Sequence, residues 1–455
     1  MKLDNALFTM RCLMAMLILI VSFKPSFSQV WSPLGAGTNG NINAVFVYNN
    51  ELIAGGDFTT AGGQIVNHVA KWNGTNWQPL GLGTNDAIFA FTYYNGYLIA
   101  GGKFSTAGGI ASSKVARWNG SNWSAVSSAA INGDIRALSV LGSNLVAGGN
   151  FTNIGVTMNR IAVWNGNSWQ PFGNGFNSDV FALATFNTLL FSGGSFVETY
   201  GKRISSWNGS NWTQVGVGID DGSVYALRTY GTSLVVSGTF TLLGGTPVNR
   251  VARWTGSSWA PLGSGFDRGV YALYASGTYL YAGGVFDFAD FLPASRVAVY
   301  SGSGWSGITS GVTGPGTVVN SITGFGGRTV FAGKFSIAGG NSANNIAVWG
   351  APLGIIPVEG PVPDKYLLEQ NYPNPFNPST KIRFGLPSNS NGGMHDVKII
   401  VFDILGKEIS VFASGNLSPG KYEIEFDGTN LPSGTYFYKL ISDEITYTKR
   451  MVLLK

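Results

Sequence analysis

The sequence predicts an all-β protein: a seven-bladed β-propeller over residues 29–350, followed by a small β-sandwich. Three observations predict it. A Gly-x-Phe motif closing an apolar run recurs seven times, with its phenylalanine at Phe58, Phe104, Phe151, Phe196, Phe240, Phe286 and Phe335 and gaps of 44 to 49 residues. Each copy reads as four short strands separated by Asn-Gly or glycine-rich turns. Glycine makes up 65 of 455 residues and aromatics 13%, against only 11% charged residues, a balance that suits turn-rich β structure.

Residues 1–28 read as a secretory signal peptide. Lys2 and Arg11 supply positive charge, 13–23 is a short apolar run, and Ser26 and Ser28 place small residues at the cleavage positions, so that Gln29 starts the mature chain. A membrane-spanning helix needs about 20 apolar residues, and Lys24 and Pro25 end this run well before that. No transmembrane segment is therefore expected in the mature protein. The single cysteine, Cys12, leaves with the leader, which excludes disulfides, a thiolate nucleophile and a cysteine metal site. The net charge of +5 is spread thinly, without the dense basic run of a nucleic-acid binder.

The repeat from 87 shows how one unit is built. AIFAFTYY (87–94) turns through Asn95-Gly96 into YLIAGGKF (97–104); a glycine-rich loop leads to KVARW (114–118), and Asn119-Gly120 turns the chain into WSAV (123–126). One tryptophan series runs through Trp72, Trp118, Trp164, Trp207, Trp254, Tyr300 and Trp349, and a second through Trp31, Trp77, Trp123, Trp169, Trp212, Trp259 and Trp305. Together they account for all 13 tryptophans. Trp31 begins a fourth strand with no third strand before it, and Trp349 ends a third strand with no fourth after it. Residues 30–35 and 345–349 are thus expected to complete one blade together, closing the ring and removing its exposed edges.

The glycine doublets (Gly55-Gly56, Gly101-Gly102, Gly148-Gly149, Gly193-Gly194, Gly283-Gly284), together with the tryptophans downstream, make 29–350 resemble kelch-like propellers, including those of secreted bacterial surface proteins. The spacing of the aromatic after the doublet departs from the usual kelch pattern. Residues 351–366 form a Pro/Gly-rich stretch expected to act as a semi-rigid linker. Alternating segments follow at 381–386, 397–405, 421–426 and 434–441, broken by Gly406, Pro419-Gly420 and Pro432-Ser433-Gly434, as in a small β-sandwich.

In this tail LEQNYPNPFNPSTKIRF (368–384), VFDILGKEI (401–409), LSPGKY (417–422), LPSGTYFYKL (431–440) and KRMVLLK (449–455) occur in order. Residues 367–455 thereby resemble the C-terminal sorting domain of the type IX secretion system of Bacteroidetes. The resemblance implies general export, then recognition by the outer-membrane translocon as partner, with the protein released or held at the outer cell surface. It assigns the targeting motif to Asn371, Pro373, Asn374, Pro375, Phe376, Asn377 and Pro378, with Gly434, Tyr436 and Lys449 further on. Closely spaced prolines keep 371–378 out of helix and inner strand, so an exposed, extended or turn-rich segment is expected.

Candidate chemistry in the repeats is sparse. His68 and His395 are the only histidines, which argues against a Ser-His-Asp triad or a histidine-rich metal site, and no cofactor is expected. His68 shares a repeat position with Lys114, Arg160, Arg203, Arg250, Arg296 and Asn345. Those side chains are expected to lie over aromatics and pair with nearby carboxylates or carbonyls. Asp86, Asp134, Asp179, Asp220, Asp221 and Asp267 lie in the loops feeding the innermost strands, where Asp commonly bonds its own backbone. Arg136 falls where the other copies carry Asn43, Phe89, Phe181, Tyr225, Tyr271 and Asn320, aimed at the channel mouth beside Asp134 and Asp179. Asp134, Arg136 and Asp179 are therefore the candidate binding residues. The functional expectation is a secreted, non-enzymatic propeller that binds protein or glycan. The alternative is a polysaccharide hydrolase or lyase using two of these carboxylates. The paired tryptophans are expected to be blade packing rather than a sugar platform, and only the sixth unit (286–296) reads as departing from the repeat, and that mildly.

Overall fold

A computed structural model describes residues 30–326, 328–350, 355–358, 360–388, 395–417, 419–428, 431–442 and 445–455. The predicted cleavage residues Ser28 and Gln29 lie outside them. The regular structure described is all β, and the chain divides into a compact unit at Trp31–Gly350 and a second one that holds Ala351–Lys455.

The first unit contains seven four-stranded antiparallel sheets. The first is typical: Ile42–Tyr48, Glu51–Gly56, Val69–Trp72 and Trp77–Pro79, each strand paired with the one before it in sequence. The seventh joins Val30–Pro33 to Ile346–Gly350, Arg328–Lys334 and Val318–Phe325, so its outermost strand comes from the other end of the unit. Each innermost strand packs beside that of the next sheet, and the seventh beside the first. The last of these contacts is polar as well: the Ser321 hydroxyl accepts from the Val45 amide at 3.1 Å, and the Asn320 amide donates to the Ile42 carbonyl at 3.0 Å.

The apolar cores lie between neighbouring sheets, as with Ile53 and Val69 of the first against Ile88 and Leu98 of the second. Close approach there needs glycine. A Cβ on Gly101 would sit 2.6 Å from Ile135 of the next sheet, and one on Gly102 would strike the Ala87 carbonyl of its own sheet. The repeated phenylalanines are all at most 3% exposed.

The two tryptophan series face each other across the two outer strands of every sheet, with centroids 5.2 to 5.6 Å apart. Trp31 and Trp349 form the pair of the seventh sheet at 5.3 Å. In five members of the second series the indole N–H reaches back to the preceding sheet: Trp77 donates to the Leu34 carbonyl, Trp123 to Leu80, Trp212 to Phe172, Trp259 to Val215 and Trp305 to Leu262. That of Trp169 is buried without a partner. Trp31 makes the equivalent bond to the Thr309 hydroxyl at 3.0 Å. Trp72 and Trp77 are 5% and 2% exposed, which closes their faces to a sugar.

Two expectations need correction. The sixth unit keeps the small hairpin of its neighbours, Phe288–Ala289 with Leu292–Pro293. The departure lies in the fourth, where Leu189–Glu198 and Gly201–Trp207 run as one long hairpin. The stretch expected as a linker contributes a strand, Ile355–Val358, which pairs with Gly420–Asp427. Its Pro357 is tolerated because the strand stands at a sheet edge.

The second unit contains two four-stranded sheets. One runs Ile355–Val358, Gly420–Asp427, Ser379–Leu386, Leu367–Leu368; the other Glu408–Leu417, His395–Phe402, Gly434–Ser442, Ile445–Leu453. Ile382, Phe384, Tyr422 and Ile424 of the first join Val397, Ile399, Tyr438 and Leu440 of the second in one core, a sandwich interior.

Candidate functional site

Every innermost strand carries a register shift near its start, between Ile42 and Ala44, Ile88 and Ala90, Ile135 and Ala137, Val180 and Ala182, Val224 and Ala226, Val270 and Ala272, and Val319 and Ser321. The residues left out of register are Asn43, Phe89, Arg136, Phe181, Tyr225, Tyr271 and Asn320. A β-bulge leaves one residue unpaired and re-aims its side chain. All seven are half-buried, and six of them border a cavity of about 240 Å³ with residues from all seven innermost strands.

These side chains contact one another in repeat order. The Arg136 guanidinium lies over the rings of Phe89 and Phe181, 5.3 and 5.9 Å from their centroids. Phe181 stacks on Tyr225 at 4.8 Å with an interplanar angle of 15°, and Tyr225 meets Tyr271 edge-on at 5.0 Å. Burial, with Tyr225 close by, pushes the Tyr271 phenol above its ordinary pKa, so its hydroxyl stays protonated. Asn320 donates to the Asn41 side chain at 2.8 Å, and Asn41 donates to Asn43 at 2.6 Å. The arrangement is an aromatic arc interrupted by one cation, facing an arc of carboxamides.

The structure brings together two of the three predicted residues. Asp134 Oδ2 lies 3.5 Å from Arg136 Nη2, and Arg136 Nε is buried without a hydrogen-bond partner. Among the described residues no ion pair joins Arg136 to Asp179, whose carbonyl accepts from the Ser195 amide. Four of the six loop aspartates bond backbone amides: Asp86 that of Ala87, Asp220 that of Gly245, Asp221 those of Thr241 and Leu242, and Asp267 those of Asp287 and Phe288. Asp221 and Asp267 occupy a repeat position held elsewhere by Asn39, Asn85, Asn132 and Asn177, which accept from amides 20 or 21 residues on in the same manner.

The basic series is structural too. All seven residues hold a left-handed backbone, with φ between 59° and 72°. Arg203 donates to the Gly222 and Ile219 carbonyls, Arg250 to Phe266, Asn345 to Thr38, and Arg296 pairs with Asp287. His68 Nδ1 lies 3.3 Å from the Gly56 carbonyl. The bulge aromatics Phe89, Phe181, Tyr225 and Tyr271 were not singled out as binding residues from sequence. Their signal is an Ile/Val-x-Ala/Ser triplet that opens every innermost strand.

In the sandwich, 371–378 is anchored at two points and exposed between them. Asn371 is buried; its backbone amide donates to the Tyr438 hydroxyl oxygen and its side chain donates to Thr380 and Pro373. Phe376 is 1% exposed in the core and exchanges backbone hydrogen bonds with Val452 and Leu454. Asn374 accepts from the Val452 amide. Tyr372, Pro373, Asn374, Pro375, Asn377 and Pro378 face solvent. The expectation of a wholly exposed segment is therefore corrected, because Phe376 fills space between the sheets. Gly434 is exposed; Tyr436 is buried with its hydroxyl on the Pro432 carbonyl; Lys449 is half-buried opposite Tyr438.

Residues 370–454 match the family described as "Secretion system C-terminal sorting domain". No curated protein matches the chain. The sorting domain marks a protein exported by type IX secretion to the cell surface or extracellular space, and implies interaction with that machinery. Among the described residues no helix is long and apolar enough to cross a membrane.

Proposed function

We propose that Trp31–Gly350 is a closed seven-bladed β-propeller, and that the exported protein is a non-enzymatic binding module that takes protein or glycan at the mouth of its central channel. The kelch-like resemblance belongs to the same proposal, as does removal of residues 1–28 during export. The observation that carries the binding reading is the set of bulge residues, six of which place Arg136, three aromatics and two asparagines around one cavity. The bulges differ in side chain while the scaffold around them repeats, as expected where a rigid frame presents a variable surface. The non-enzymatic reading rests on the aspartates: four of six bond backbone amides, and Asp134 faces Arg136.

The test is a screen of the full-length secreted protein against a glycan array and a panel of polysaccharides, run beside an assay for reducing-end release. The proposal predicts retention on a glycan or protein surface with no sugar release. Release that disappears in Asp134→Asn or Asp179→Asn would instead establish the hydrolase or lyase.

A further inference from the structure

We propose that the cavity among the bulge residues takes a single uronic-acid residue of an acidic polysaccharide, with its carboxylate on Arg136. The inference deepens the binding reading above and rests on it.

Size comes first. Pockets that enclose drug-sized ligands run from about 300 Å³ upward, and this cavity is about 240 Å³. It offers room for one sugar ring.

The lining is divided as a pyranose is divided. A sugar ring has an apolar C–H face and a polar hydroxyl rim. Phe181 and Tyr225 stack on one side, with Tyr271 behind Tyr225, and Asn43 and Asn320 present carboxamides on the other. Both asparagines already touch their neighbours' backbones, Asn43 through the Ile88 carbonyl and Asn320 through that of Ile42. Their amide groups are thereby held in position to meet hydroxyls.

Charge is decided by Arg136. Aromatic rings on two sides fix its plane, which leaves the edge of the guanidinium fork for a carboxylate, the geometry in which Arg binds best. The contact from Nη2 to Asp134 is long at 3.5 Å and the side chain is 35% exposed, so the terminal guanidinium nitrogens have room for a stronger acceptor. A ligand carboxylate supplies it. Asp134 opposes it, so the pair is a built-in brake on affinity.

The test is titration calorimetry on the full-length protein with D-glucuronic and D-galacturonic acid, D-glucose and D-galactose, acetate, and a Glu-rich hexapeptide. The proposal predicts that a uronic acid binds at least tenfold tighter than its neutral counterpart and than acetate, with affinity falling as salt rises. Arg136→Met, which keeps the apolar stem, is expected to lose at least tenfold. Asp134→Asn is expected to tighten binding several-fold, and it remains informative if Arg136→Met fails to fold by its tryptophan fluorescence melt. Neutral sugars bound equally well, with Arg136→Met silent, would overturn the acidic specificity and leave the binding reading standing. Binding of the hexapeptide alone would overturn the sugar. Sugar binding unchanged in both Phe181→Ala and Tyr225→Ala would overturn the site, and no binding by any probe would overturn the proposal, with the array screen then deciding the broader reading.

Discussion

At the scale of single residues, several side chains that look like chemistry hold the backbone in place. Arg203 and Arg160 share a left-handed position, yet Arg203 makes two inter-loop hydrogen bonds while Arg160 Nε is buried and unpartnered. Glycine relieves such a backbone, and each lost hydrogen bond costs about 1 kcal/mol. Arg160→Gly should therefore leave Tm unchanged or slightly raised, whereas Arg203→Gly should lower it by a few degrees, as read by differential scanning calorimetry. In the sandwich, hydrogen bonds and charge from Lys381 and Arg383 hold the Glu423 carboxyl below its ordinary pKa, burial opposing them. A carboxylate with a lowered folded pKa stabilises the fold fully above its unfolded value of 4.5 and loses that contribution as pH falls through the lower folded value. Glu423→Gln should flatten this part of the acid unfolding curve of the tail; an unchanged acid transition would contradict the assignment.

At the scale of elements, the strand Val30–Pro33 carries the most weight for the architecture. If it completes the seventh sheet, Trp31→Ala should cost as much as Trp77→Ala, about 3–5 kcal/mol for a buried tryptophan. A Trp31→Ala variant that melts like the parent would show the strand to be dispensable. In the tail, Phe376→Ala should unfold the sandwich and abolish export, because the ring lies between the two sheets. Tyr372→Ala, at an 80% exposed position, should leave the melt unchanged. Immunoblots of medium and cell fractions separate the two effects. These elements also show what the sequence made legible. Tryptophans and Gly-x-Phe motifs recur because every sheet must bury the same apolar surface, so they mark the units directly. A bulge is a relation between two strands, so the Ile/Val-x-Ala/Ser triplet marks a repeat position without saying that its middle residue leaves the ladder. The Asn/Asp clamps were hidden for the same reason, since each side chain bonds an amide 20 residues away. Pro and Gly around Ile355–Val358 masked a strand whose pairing partner lies some 65 residues on.

At the scale of the whole molecule, the first unit carries its variation at the bulges and the second carries the export address. Arg136 was legible as an aberrant member of a repeat position. Its aromatic neighbours were legible only as members of the same repeat position, because a phenylalanine in an inner strand reads as core until its register is known. The central claim is that seven sheets close into one ring through strands from opposite ends of the unit, with the bulge side chains converging on its axis. A crystal structure of the secreted protein tests this most directly. The predicted result is seven four-stranded sheets around a channel, Val30–Pro33 paired with Ile346–Gly350, and Arg136 between Phe89 and Phe181. An open ring, a different number of sheets, or bulge residues turned away from the axis would contradict it.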